Sequence, residues 1–232
     1  MPIFEVCTDS LVGVHAARDA FAHRVELCSS LDDGGVTPSI GLVELACDVG
    51  IPVHVLVRPR AGSFVYSGRE MQVMLRDLEA IKNAGASGAV IGALEADGKP
   101  DLERTQELVA ASRPMSVTLN RAFDVCHDPS NMLEHLIELS VDRVLTSGQA
   151  PTALEGAPLI RRLVEQSRSR IVVMAGGGIR AHNVKRVLFE TGVTELHFTA
   201  REALEPGIGS PLSFGAHRET TRAEIEGVIS SV

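Results

Sequence analysis

Glutamate and cysteine stand two positions apart twice in the first 28 residues, as Glu5-Val6-Cys7 and Glu26-Leu27-Cys28. Polar residues fall on one parity again at His54 and Arg58, at Ser116, Thr118 and Asn120, at Thr146, and at Glu195, His197 and Thr199. The opposite parity is apolar: Val6, Val25, Leu27, Val53, Val55, Val57, Val117, Leu119, Leu196 and Phe198. Alternate residues of a strand share a face, so this pattern gathers carboxylates, imidazoles and a guanidinium on one side of several strands. Such a set suits general acid–base chemistry, with Glu5, Glu26, His54 and His197 as catalytic candidates. A closed ion network that merely fills space is the competing reading for any one of them. Cys7 and Cys28 end consecutive strands, which lie ~4.8 Å apart. Paired thiolates there would select Cu(I) or Zn(II); two thiols that merely pack in a crowded interior are the competing reading.

Loops add polar groups. Arg58-Pro59-Arg60 carries two guanidiniums suited to carboxylate or phosphate. Asn120-Arg121-Ala122-Phe123-Asp124 offers an amide, a guanidinium and a carboxylate, although Arg121 and Asp124 could simply hold each other. Gly176-Gly177-Gly178 precedes a helix, where free N–H groups could cradle an anion or form a plain tight turn. Cys47 reads as a core thiol and Cys126 as a loop residue; with no C-x-x-C pair, local metal chelation is excluded. No nucleotide-cofactor motif is present.

The elements that must hold these groups recur regularly. Strand patterns cover Ile3 to Cys7, Arg24 to Cys28, Val53 to Arg58, Gly88 to Leu94, Met115 to Arg121, Arg143 to Ser147, Ile171 to Ala175 and Glu195 to Thr199. Helical patterns lie between them, and a last one runs from Arg218 to Ile229. Eight strands alternating with helices in 232 residues predict an α/β fold: a single (β/α)8 TIM-type barrel over residues 1–232, with polar residues at the C-terminal strand ends. An open doubly wound sheet is the runner-up. Residues 200–217, rich in Gly, Pro and Ser, predict a long loop, either a flexible lid or a plain connection. A net charge of −8 argues against nucleic acid as a partner. No apolar run approaches the ~20 residues of a membrane span, and no basic, apolar leader opens the chain, so a cytoplasmic location is expected.

Together, Arg24-Val25-Glu26-Leu27-Cys28, Gly34-Gly35-Val36-Thr37-Pro38-Ser39, Ile51-Pro52-Val53-His54, Arg58-Pro59-Arg60, Tyr66-Ser67, Arg121-Ala122-Phe123-Asp124, Leu145-Thr146-Ser147-Gly148-Gln149 and Ala175-Gly176-Gly177-Gly178 resemble the CutC family, ascribed to copper homeostasis. The match runs in order from about residue 3 to residue 201. The resemblance implies a TIM-type barrel, a cytoplasmic protein that often self-associates into a homo-oligomer, and Cu(I) binding through Cys7 and Cys28; it also adds Ser147 to the substrate-binding candidates. Asn120 stands where the family usually has His, and Val65 where members often have Cys.

Two functions compete. One is Cu(I) binding in copper homeostasis by Cys7 and Cys28, with His54 or His197 as a further ligand. The other is a hydrolase, lyase or isomerase acting on a small anionic or sugar-like substrate, with Arg58, Arg60, Asn120, Arg121, Asp124, Ser147 and Gly176 to Gly178 binding it.

Overall fold

Helix starts coincide with side chains that can satisfy a first-turn N–H. Ser10 accepts from the Gly13 amide ahead of α1 (Leu11–Asp19), and Ser39 from Leu42 ahead of α2 (Ile40–Cys47). Ser67 and Glu70 form a reciprocal capping box at α3 (Gly68–Asn83). Asp101 caps α4 (Leu102–Ser112), and Asp128, followed by Pro129, caps α5 (Pro129–Glu138). Helices α6 (Ala157–Ser167) and α7 (Val184–Thr191) complete the ring before a last helix, α8 (Arg222–Ile229).

The computed structural model describes residues 1–203 and 218–232. Strands β1 (Ile3–Thr8), β2 (Arg24–Leu27), β3 (Val53–Leu56), β4 (Gly88–Ile91), β5 (Ser116–Leu119), β6 (Arg143–Thr146), β7 (Val172–Gly176) and β8 (Glu195–Thr199) pair in sequence order. β8 closes onto β1 in parallel, as the barrel reading predicts and the open-sheet reading does not. The register sets Glu5 beside both Arg24 and His197, and Glu26 beside both Cys7 and His54. Val6, Val25, Val55, Val117, Leu196 and Phe198 face outward into the main core beneath the helices. The polar parity is therefore the barrel interior.

Three sequence expectations shift. Thr146 does not join the interior set. Arg143 reaches inward to Glu195 and Leu145 lines the interior cavity, so Thr146 falls on the parity of Val144, in the outer core. Its hydroxyl is instead taken up by Asp124. The last helix starts at Arg222, because Thr221 accepts from the Glu224 amide. Arg218–Thr220 is instead strand β10, antiparallel to β9 (Arg201–Ala203). Of the long loop expected over residues 200–217, residues 201–203 are strand and residues 204–217 lie outside the described residues. Among the described residues no helix is long and apolar enough to cross a membrane.

Candidate functional site

The barrel interior is built in two layers. The lower layer is a closed ion network. Arg24 donates from Nε to Glu5 at 2.5 Å and from Nη2 to Glu195. Arg143 donates to the same Glu195 oxygen at 2.7 Å and to the hydroxyls of Ser116 and Thr118. His197 Nδ1 lies 2.7 Å from Glu5 Oε1, and His54 Nδ1 lies 3.7 Å from Glu5 Oε2. Neither arginine was among the sequence candidates, although each opens its strand on the interior parity, which is the signal that could have found them.

The upper layer opens into a cavity of about 170 Å³ at the C-terminal strand ends. Cys7, Cys28, Glu26, His197, Arg58 and Asn120 all line it. The Cys7 thiol points at Glu26 Oε1 at 3.7 Å, and the Cys28 thiol at the Thr8 carbonyl at 3.7 Å. Cys7, Glu26 and His197 bring ligand atoms within 4.8 Å of one another, the single such group among the described residues. Glycines make room for the polar side chains. A Cβ at Gly88 would sit 2.4 Å from the His54 ring, and one at Gly92 would sit 2.2 Å from Asn120 Oδ1. These glycines lie on the interior parity of β4 and just beyond it, a second sign readable in the sequence.

Environment separates the four acid–base candidates. Burial pushes Glu26 up to about 7, against the pull of His197. Burial would also raise Glu5, but the hydrogen bond from His197 and the charge of Arg24 hold it well below the usual carboxylate range. Burial brings His54 down to about 4. Burial opposes the charge on His197 as well, yet Glu26 and Glu5 raise it. The Cys7 thiol is held well above its ordinary value, first by its contact with Cys28 and then by burial.

The loop candidates divide. Arg58 lines the cavity, but its terminal nitrogens are clamped by the carbonyls of Gly35 and Gly62, each at 2.7 Å. Arg60 points away, donating to Glu70, Ser63 O and Val65 O, and so staples its own loop. Asp124 accepts from Thr146 Oγ1, from the amides of Ser147 and Gln149, and from Arg121. It organises the loop after β6. Ser147 Oγ is shared between Asp124, Arg121 and the Ala150 carbonyl. Gly177 and Gly178, at φ +103° and +71°, line a pocket of about 150 Å³ that shares Arg121, His197 and Thr199 with the main cavity. Gly176 has no space for a side chain, since a Cβ would lie 2.6 Å from Leu145. A larger groove of about 720 Å³ lies between α3 and α4. Among the described residues its lining holds no cysteine or histidine, so size alone does not locate the chemistry.

The chain matches the sequence model of the CutC family over residues 2–202. It is 48% identical over 218 residues to the copper homeostasis protein cutC homolog of Homo sapiens, covering 92% of this chain and 80% of that protein. It is 45% identical over 208 residues to a family protein CutC of Bacteroides fragilis, covering 89% of this chain and 83% of that one. Among solved structures, the copper homeostasis protein CutC of Streptococcus agalactiae superposes with a TM-score of 0.81 at 32% identity, over 85% of this chain and 98% of that one. An aldolase, QR15, at 18% identity and a TM-score of 0.63 over 84% of this chain and 88% of that one, shares the fold alone. With a closed barrel, matching motifs along its strands and relatives at this level of identity, the chain belongs to the CutC family, the copper homeostasis family.

Proposed function

We propose that the barrel mouth binds Cu(I), held by Cys7 and Cys28 with His197 as a further ligand, and that the protein serves copper homeostasis in the cytoplasm as a self-associating protein. The observation that carries this reading is the buried group of Cys7, Glu26 and His197, all within 4.8 Å, with Cys28 against Cys7. Thiolate and imidazole are donors of the kind Cu(I) prefers, and a reducing compartment keeps both thiols free.

Loading must displace protons, because thiolate and neutral imidazole are the binding forms. Cys7 holds its proton tightly. Glu26 Oε1, 3.7 Å from that sulfur, is placed to receive it. His197 keeps Nδ1 on Glu5, which leaves Nε2 as the nitrogen for a ligand bond.

The test is an anaerobic Cu(I) titration against a chromophoric competitor, on wild type, on Cys7→Ser with Cys28→Ser, and on Cys47→Ser. One tight equivalent, lost in the double variant and kept in Cys47→Ser, is the expected result. Binding that survives loss of both mouth thiols refutes the assignment.

A further inference from the structure

The turn after β7 uses its carbonyls and leaves its amides over. Gly177 O accepts from the Ala153 amide at 2.9 Å, Gly178 O from Asn183 Nδ2 at 2.8 Å, and Ile179 O from Arg180 Nη1 at 2.8 Å. Among the described residues the Gly177 and Gly178 amides find no acceptor. Both glycines line the pocket of about 150 Å³ beside the mouth cavity, and Gly178 is exposed, so a solute reaches this turn from water.

Two exposed arginines line the same pocket with donors to spare. Arg180 spends Nη1 on the carbonyls of Ile179 and Thr199, at 2.8 and 3.0 Å, and its Nε and Nη2 have no partner among the described residues. Arg121 spends Nε on Asp124 and Nη2 on Ser147, which leaves Nη1. Among the described residues no carboxylate lines the pocket, in a chain whose net charge is −8. One exposed arginine is satisfied by water. Here two converge with two unpaired amides on one concavity, and all four offer donors.

Such a set calls for an anion with several acceptor oxygens. Guanidiniums and successive backbone amides are groups that hold phosphate. A phosphate ester brings about −1.5 to −2 charges and three strong acceptor oxygens, where a carboxylate brings a single charge and a pair of oxygens. The pocket of about 150 Å³ corresponds to about five waters at roughly 30 Å³ each, and phosphate has that many non-hydrogen atoms.

We propose that this pocket binds a phosphate group, which accepts from the amides of Gly177 and Gly178 and from the guanidiniums of Arg180 and Arg121. The site goes beyond the copper reading and uses neither thiol. Gly177, Gly178 and Arg180 stand outside the lining of the mouth cavity.

The probes are inorganic phosphate, glycerol 1-phosphate and acetate, titrated calorimetrically into the metal-free full-length chain in a phosphate-free buffer. At least one phosphate is expected to bind roughly tenfold or more tightly than acetate. Arg180→Gln is expected to weaken that binding by roughly tenfold or more. Arg76→Gln, which removes the same charge from an exposed position of α3, is expected to leave it unchanged. An ester that binds at least as tightly as inorganic phosphate assigns the site to phosphorylated small molecules; tighter binding of inorganic phosphate assigns it to the free anion. No binding of either phosphate, binding no tighter than that of acetate, or binding indifferent to Arg180→Gln overturns the proposal. So does an equal loss in both variants. If Arg180→Gln does not fold, the Gly177 and Gly178 amide resonances of the wild type decide: they must shift with phosphate, and their constancy overturns the assignment.

Discussion

Replacing Glu26 with Gln fixes that side chain in an uncharged form and should turn a pH-dependent stability into a flatter one. Burial raises the Glu26 carboxyl from 4.5 to about 7. Between those values the folded protein keeps a proton that the unfolded chain has released, so stability falls as pH rises through the window and levels off above it. At about 1.4 kcal/mol per pH unit, the full loss is about 3 kcal/mol. Glu5 and His54 do not reproduce it. Glu5, held low, contributes stability that is lost only as the pH falls below this window. His54, brought down to about 4, makes stability rise with pH up to its ordinary value, but it does so in both proteins and cancels in the comparison. His197, raised, contributes stability present at acid pH and lost as the pH climbs through its folded value. Because Glu26 is one of the charges that raise it, the two titrate as a pair. Urea midpoints of metal-free, reduced wild type and Glu26→Gln at pH 5 and pH 8 measure the difference. The variant should gain on wild type by about 3 kcal/mol across that interval, and an infrared carboxylic-acid band present in wild type near neutrality should be missing from it. A stability difference that is the same at both pH values would refute the reasoning.

Two further changes probe the frame around the site. Arg24→Met strips Glu5 and Glu195 of their shared guanidinium and should cost about 3–5 kcal/mol in urea unfolding, as breaking a buried ion pair does; a loss below about 1 kcal/mol would mean the lower layer is not a closed network. Asp124→Ala removes the acceptor for the Ser147 and Gln149 amides. Those two amides should lose hydrogen-exchange protection by roughly tenfold or more while β1 keeps its own, and unchanged protection would show that the loop holds itself.

The barrel was legible in the sequence because alternation and capping agree: apolar residues at 6, 25, 27, 53 and 55 mark the outer parity, and Ser39, Ser67 and Asp128 mark helix starts. The interior set containing Glu5, Glu26, His54 and His197 follows from the same alternation. Thr146 was misplaced because a hydroxyl at a strand end serves a neighbouring loop as readily as a barrel interior, so its polarity carries no parity. What the loop arginines hold is not legible in the sequence for a different reason. Arg58 and Arg60 are satisfied mainly by backbone carbonyls, at Gly35, Gly62, Ser63 and Val65. Those carbonyls are aimed by turns with Gly35 at φ +82° and Gly62 at φ +89°. A sequence lists side chains but not where its turns point their carbonyls, so a structural guanidinium and a ligand-binding one look alike.

The division of the interior into two layers bears on what can be changed without losing the fold. In the lower layer Arg24, Arg143, Glu5 and Glu195 satisfy one another, and such a network is cheap only while complete. In the upper layer Glu26, Asn120 and Arg58, which share a cavity with two thiols, each have an atom with no hydrogen-bond partner among the described residues. The lower layer carries charge to hold the barrel; it also sets the upper one, since Glu5 holds His197 by Nδ1 and helps raise it. Substitutions below should therefore appear first as lost stability and substitutions above as lost binding. His197, which touches both layers, is the residue at which the two effects must arrive together.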